Sequence, residues 1–340
     1  MDRPTLDQTL TFAVLLLHGL YAKEDELKPI AAHLNKRFGK SVLIIQPTCR
    51  VRLKSVIRSI AQQTEDMLKW IQLELIRYNK EPSSFPLIII GYSQGGLLAC
   101  MLGKSYKSQL NIVGIITLNA PLMGTPLLER SRKDVQEFIS NAEKGLALIG
   151  YPLSRIKRIM TLQTWMLLLT RPRWVPINGL KDIMPNSACV KSVSSFLQEN
   201  LEIPCLLIAT HQNDFSELFN MTTGHQDRAI EALNDAYTLL ITGKKGRKHD
   251  TLIPLASQLG KTDYINNLIP INTNEASYKH RSMLGPNRPN IQERIYKGIL
   301  HAHNLVAIDP SLFVDHGTTV LYADFIAADL IQFIGQLVFG

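Results

Sequence analysis

The chain has 340 residues, 45% of them hydrophobic and 19% charged; that composition supplies a sizeable core and excludes general disorder. Its length fits one large α/β domain with insertions, or two ordinary domains, and excludes a disulfide-stapled module. Lysine and arginine outnumber aspartate and glutamate by 37 to 29, a formal charge of +8, which favours anionic surfaces such as phospholipid or nucleic acid but is silent about fold.

The N-terminus, Met1-Asp2-Arg3-Pro4, precedes an apolar run of only six residues, which reads as neither a secretory signal nor a membrane span. That run, Phe12–Leu17, reads as a buried strand ending at His18-Gly19, and residues 41–45 as a second strand closed by Pro47. Between 55 and 75 the apolar positions Ile57, Ile60, Met67, Leu68, Ile71 and Leu75 form a helical stripe. Residues 87–90 and Ile112–Leu118 are further strands, the latter closed by Asn119-Ala120-Pro121. Continuous apolar strands separated by helices imply a mostly parallel sheet covered on both faces, hence an α/β fold.

From 125 to 200 this alternation breaks, leaving helical pieces at 133–148 and 162–169. It resumes with strands expected at 204–209, 237–242 and 293–300, and a closing helix from about Asp324. Asp329, Gln332 and Gln336 make the end of the chain an amphipathic helix docked on the domain. No repeat or low-complexity linker divides the chain, so 1–340 parses as a single domain with an inserted cap or lid at 125–200. Cys49, Cys100, Cys189 and Cys205 show no metal-ligand spacing, so no structural metal site is expected; there is no Walker loop or dinucleotide fingerprint, and no cofactor is expected. The default address is cytoplasmic, with signal-less export left open.

The informative segment is Gly91-Tyr92-Ser93-Gln94-Gly95, a Gly-x-Ser-x-Gly set between a buried strand and an apolar helix. On such a tight turn the serine backbone is strained, the glycines leave room for the neighbouring chain, and the hydroxyl projects beside the positive end of the helix. Here the chain resembles an α/β-hydrolase, and within that fold the lipase branch of PGAP1-like and DUF676 serine esterases, over residues 12–126. The resemblance implies an oxyanion hole built from the amides of Leu20, in the loop His18-Gly19-Leu20-Tyr21, and Gln94, with His18 structural. It also likens the segment 119–126 to a Pro-x-x-Gly-Thr loop near the site.

A serine needs a base, and the base an orienting acid. In this fold they follow the serine in the order acid, then histidine. The acid the resemblance favours is Asp250, in a stretch like the family's Asp-Gly-x-Val-Pro-x-x-Ser loop, although Thr251 stands where glycine is usual; Asp214 is the positional rival. Asp182 is assigned to shaping the cap. For the base, His303 stands first, with His301 and His316 as alternatives; His211, His225, His249 and His280 are read as structural.

Residues 162–176 hold Trp165 and Trp174 among leucines and arginines, an interfacial lid or an ordinary packed helix. Lys244 to Lys248 form the densest basic cluster, read as a solvated loop; no aromatic interleaving or recognised nucleic-acid motif supports polynucleotide binding. The expectation is a serine hydrolase of carboxylic esters, lipase- or esterase-like, with ester or lipid substrates and a peripheral contact with anionic membrane. Rival readings are a thioesterase or amidase using the same triad, and a catalytically silent module binding membrane or protein.

Overall fold

The computed structural model describes residues 10–22, 26–131, 133–138, 140–141, 177–213, 227–261, 283–284, 290–297 and 324–340. Strands β1 (Phe12–Leu17), β2 (Val42–Ile45), β3 (Leu87–Tyr92), β4 (Ile112–Leu118), β5 (Cys205–His211), β6 (Met283–Leu284) and β7 (Ile291–Lys297) form one sheet in the order β2-β1-β3-β4-β5-β7-β6. Every neighbouring pair is parallel except β6, which runs antiparallel to β7 at the edge. The central strands are the leucine- and isoleucine-rich runs of the sequence, and β1 and β3 are buried at every position, as a strand covered on both faces requires.

The covering helices are α1 (Lys28–Phe38), α2 (Ile60–Arg77), α3 (Gln94–Tyr106), α4 (Ala188–Glu199), α5 (Asp227–Thr242) and α6 (Asp324–Phe339). Because successive strand side chains alternate faces, β1 divides itself between two cores. Ala13, Leu15 and Leu17 pack with Met67, Ile71 and Leu75 of α2, Leu98 and Leu102 of α3 and Val193 of α4. Phe12, Val14 and Leu16 pack with Ile30 and Leu34 of α1 and Leu330 and Phe333 of α6. The closing helix docks through its polar stripe too: Asp329 accepts a hydrogen bond from Tyr296 on β7 and lies 3.5 Å from the Arg294 guanidinium.

Three expectations need correction. The helix expected over 55–75 is two pieces, a short helix at Leu53–Ile57 and then α2. Ser59 starts α2 with a capping box: its hydroxyl accepts from Gln62 N–H at 3.2 Å and its own N–H donates to Gln62 Oε1 at 3.1 Å, which satisfies amides that a continuous helix would not leave open. The strand expected at 237–242 is the last part of α5. Its buried residues Ile230, Leu233, Tyr237, Leu240 and Ile241 recur every three to four positions, which is a helical stripe that a six-residue window hides. The last parallel strand lies at Ile291–Lys297 instead of 293–300, and residues 298–300 lie outside the described residues. In the 125–200 segment the described parts hold helical turns and α4 but no strand; its centre, 142–176, is outside the described residues. Six parallel strands flanked by helices, with a Gly-x-Ser-x-Gly turn leaving the middle of the sheet at β3, make this an α/β-hydrolase fold.

Candidate active site

Ser93 sits between β3 and α3 at φ 52°, ψ −122°, a left-handed conformation that costs a non-glycine residue about 1–3 kcal/mol and persists only when the surroundings enforce it. The enforcement is visible. Ser93 N–H donates to Leu118 O on β4 at 2.9 Å. A Cβ on Gly95 would lie 2.1 Å from Leu17 O, and one on Gly91 would lie 2.3 Å from Gly95 O. The two motif glycines therefore let the turn press against the end of β1 and against itself. Ser93 is half-buried, and α3 begins at the next residue, so the partial positive charge of that helix's first turn lies beside it.

The loop after β1 closes over this turn. A Cβ on Gly19 would lie 3.3 Å from the Ser93 Cβ. Gly19 N–H is taken by the buried Glu26 carboxylate at 2.7 Å, and Tyr21 N–H by Ser55 Oγ at 2.8 Å. Between them, Leu20 N–H makes no hydrogen bond among the described residues. His18 Nδ1 lies 2.9 Å from Gly19 O; a carbonyl only accepts, so Nδ1 carries the proton. Burial, assisted by the Arg50 charge, lowers the His18 pKa to about 3, so the ring is neutral at physiological pH, in keeping with a structural role.

Arg50 ties the two halves of the site together. It is 1% exposed, and its guanidinium donates to His18 O, to Gln94 Oε1 at 2.9 Å and to Gln63 Oε1 at 3.1 Å. The Gln94 amide group continues outward, donating to Ser55 O at 3.0 Å and Gly179 O at 2.9 Å. One planar fork thus spans the loop carrying Leu20 and the residue that follows Ser93, a geometry suited to arginine and not to lysine. Burial lowers the Arg50 pKa to about 9, with Glu26 opposing the shift, so it stays cationic at neutral pH.

Asp250 lies beyond α5, fully buried. One carboxylate oxygen accepts from Leu252 N–H at 3.1 Å and Ile253 N–H at 2.8 Å; the other accepts from Asn119 Nδ2 at 2.5 Å. Asn119, at φ 45°, directly follows β4 and donates also to Thr210 Oγ1 at 2.5 Å. The loop after β4 is sewn to the Asp250 loop further along: Thr125 Oγ1 donates to Leu252 O and Ser257 Oγ to Gly124 O, both at 2.6 Å. Thr251, next to Asp250, has φ 84°, a left-handed conformation that glycine would take freely.

His249 is buried and not available as a base. Its Nδ1 accepts Thr251 N–H at 3.1 Å, which leaves the proton on Nε2, 3.2 Å from Thr238 Oγ1. Burial lowers its pKa to about 4 despite the neighbouring Asp250. Asp182 works at an element boundary: its carboxylate accepts Ile60 N–H at the start of α2 at 2.6 Å, its carbonyl accepts the Ser187 hydroxyl at 2.7 Å, and burial raises its pKa. Asp214, His225, His280, His301, His303, His316, Trp165 and Trp174 lie outside the described residues. Arg50 and Glu26, beside the Ser93 turn, carry no sequence signal, whereas Asn119 belongs to the segment 119–126 that the family resemblance already likens to a loop near the site. Among the described residues no group of three or more His, Cys, Asp or Glu side chains could hold a metal ion, and no helix is long and apolar enough to cross a membrane.

A family model described as palmitoyl protein thioesterase matches residues 13–165, less than half of the chain. No curated protein matches it. Among solved structures it is similar to the phospholipase PlaB from Legionella pneumophila, with 12% identity, a TM-score of 0.44 and 74% of this chain covered; the chain spans only 46% of that protein's length. It is also similar to the gene lin2722 product of Listeria innocua, with 11% identity, a TM-score of 0.43 and coverage of 89% of this chain and 91% of that one. A thermostable carboxyl esterase from Bacillus coagulans shows 11% identity and a TM-score of 0.39, with 97% of this chain and 91% of the esterase covered. The fold assignment rests on the chain's own sheet order and elbow.

Proposed function

We propose that this chain is a serine hydrolase of carboxylic esters, with oxygen esters and acyl thioesters of lipid-like acids as its substrate class. His303, oriented by Asp250, takes the proton from the Ser93 hydroxyl as Ser93 Oγ attacks the acyl carbonyl. The amides of Leu20 and Gln94 hold the tetrahedral oxyanion, whose collapse expels the alcohol or thiol as it takes the proton back from the histidine. Water then attacks the acyl-enzyme with the same histidine as base, releasing the acid. No cofactor enters this cycle. The histidine follows the last parallel strand in chain order, with His301 and His316 as the alternatives to be separated by mutation.

The observation that carries the reading is the strained Ser93 turn with the Gly19 backbone against it. A catalytically silent fold has no need to hold a half-buried serine in a costly conformation beside a Leu20 amide that makes no hydrogen bond among the described residues. Similarity to the thioesterase model over residues 13–165 supports including thioesters, and amides remain the competing substrate of the same triad. The cap assigned to 125–200 would cover the acyl cleft. We expect wild type to hydrolyse p-nitrophenyl esters or S-acyl thioesters, and Ser93→Ala to lose at least about 10³-fold in kcat/KM with an unchanged melting temperature. Turnover retained by Ser93→Ala would remove the assignment, and no turnover by wild type on either series, with and without lipid vesicles, would favour the binding-module reading.

A further inference from the structure

Two consecutive residues at the end of β4 reach the Ser93 turn and the Asp250 loop. Leu118 O accepts Ser93 N–H at 2.9 Å, and Asn119 Nδ2 donates to an Asp250 carboxylate oxygen at 2.5 Å. Asn119 is itself placed by its N–H, which donates to Ile208 O on β5 at 2.9 Å. Its φ of 45° is a left-handed angle that asparagine adopts more readily than most residues. Ala120 then lies against α3, where a Cβ on Gly96 would come within 2.3 Å of the Ala120 Cβ. The end of β4 is thus clamped to the serine turn on one side and to the acid loop on the other. The Asn119 side chain is fully buried, and its hydrogen bonds run one way. Its amide nitrogen has two hydrogens to give, and its two acceptors are Asp250 and Thr210 Oγ1, the latter also at 2.5 Å. Its Oδ1 has no hydrogen-bond partner among the described residues. A buried acceptor left unpaired is costly, so packing alone gives no reason for an amide here. Turning the amide over would set Oδ1 against the carboxylate, acceptor facing acceptor, so the orientation present is the one that serves Asp250.

We propose that Asn119 is a positioning residue of the hydrolase, acting through Asp250 and not on the substrate; the inference rests on the reading of Ser93 as nucleophile and Asp250 as acid. Leu252 and Ile253 N–H hold one carboxylate oxygen from within the acid's own loop. Asn119 holds the other oxygen from the strand end that also anchors the Ser93 backbone. The placing of the acid relative to the serine is therefore set by β4, a buried strand, as well as by the loop 250–258. A carboxylate oxygen has lone pairs for more than one donor, so the bond from Asn119 leaves that oxygen able to accept the N–H of the histidine it orients.

The test is a double-mutant cycle on the full chain, with kcat, KM and melting temperature measured for wild type, Asn119→Gly, Asp250→Ala and the double variant, and for Asn119→Asp alone. The substrate is a p-nitrophenyl ester or S-acyl thioester that wild type turns over. Asn119→Gly keeps the backbone angle and removes the amide. Asn119→Asp keeps the shape and sets a second acceptor against Asp250 in place of the donor. We expect Asn119→Gly to lower kcat about tenfold or more with KM within about twofold of wild type, and Asn119→Asp to lower it further. In the Asp250→Ala background Asn119→Gly should change kcat by less than about twofold, because the group it acts through is gone. A role confined to holding the fold would lower the melting temperature and persist in that background. Wild-type kcat in Asn119→Gly, or losses that multiply in the double variant, would overturn the role of Asn119 and leave the hydrolase reading intact. If Asn119→Asp does not fold, Asn119→Gly still decides. Full kcat in Asp250→Ala would remove Asp250 as the acid, an inactive wild type would remove the hydrolase reading, and either would take this inference with it.

Discussion

Arg50 brings a positive charge into the core where the loop carrying Leu20 meets the residue after Ser93, and its three acceptors belong to three different segments. A positioning role of that kind predicts that Arg50→Lys, which keeps charge but loses the fork, lowers kcat by about tenfold or more while KM moves little. A wild-type kcat in Arg50→Lys would remove the tether from the account. His249 makes a separate prediction about acid. Its folded pKa of about 4 lies below the ordinary histidine value of about 6.5, so between those values the unfolded chain binds more protons. Stability is therefore full above about pH 6.5 and falls as pH drops through 4, by about 3 kcal/mol from this residue, with His18 adding to the same trend. Melting temperatures from pH 7 to pH 4 should fall more steeply in wild type than in His249→Asn; parallel profiles would contradict it. Little of this was readable beforehand. An arginine flanked by Cys49 and Val51 looks like any surface charge, because its partners come from positions 18, 63 and 94 and meet only after folding. Ser93 was readable because its whole physical requirement, two glycines and a strand-to-helix switch, is local.

At the scale of elements, the loop from Asp250 to Gln258 is held by cross-links to the segment after β4, through Asn119, Gly124 and Thr125. Thr251 is the point where that loop carries strain, since a β-branched residue occupies φ 84°. Thr251→Gly should raise the melting temperature by about 1–2 °C, the relief of roughly 1–3 kcal/mol of left-handed strain being offset in part by the extra chain entropy of glycine. Ester hydrolysis should survive; a lowered melting temperature would mean the threonine side chain stabilises more than its backbone costs. The strands were legible because parallel strands buried on both faces are continuous apolar runs. The helix α5 was not legible as a whole. Its apolar end, read alone, matches a strand as well as a helix, and only the spacing back to Ile230 decides between them. The break before α2 was missed for a different reason: the apolar stripe runs through it, while the stop is written in the Ser59–Gln62 capping box.

At the scale of the molecule, the parallel sheet sets β1, β3, β4 and β5 side by side, so that the Leu20 loop, Ser93, Asn119 and Thr210 all emerge from strand ends, the usual place for function in such sheets. The net charge of +8 and the Trp165/Trp174 segment bear on where such a site would work. If that segment is an interfacial cap, replacing both tryptophans with serine should lower activity on dispersed lipid far more than on soluble short-chain esters. Equal losses on the two would make it an ordinary packed helix.

The most direct test of the central claim is labelling of the full chain with a serine-reactive fluorophosphonate, followed by peptide mapping of wild type beside Ser93→Ala, His303→Ala, His301→Ala and His316→Ala. One adduct is expected, on Ser93, absent in Ser93→Ala and strongly slowed in one histidine variant, His303→Ala. An adduct on another serine, or no labelling of a folded wild-type protein, would contradict it.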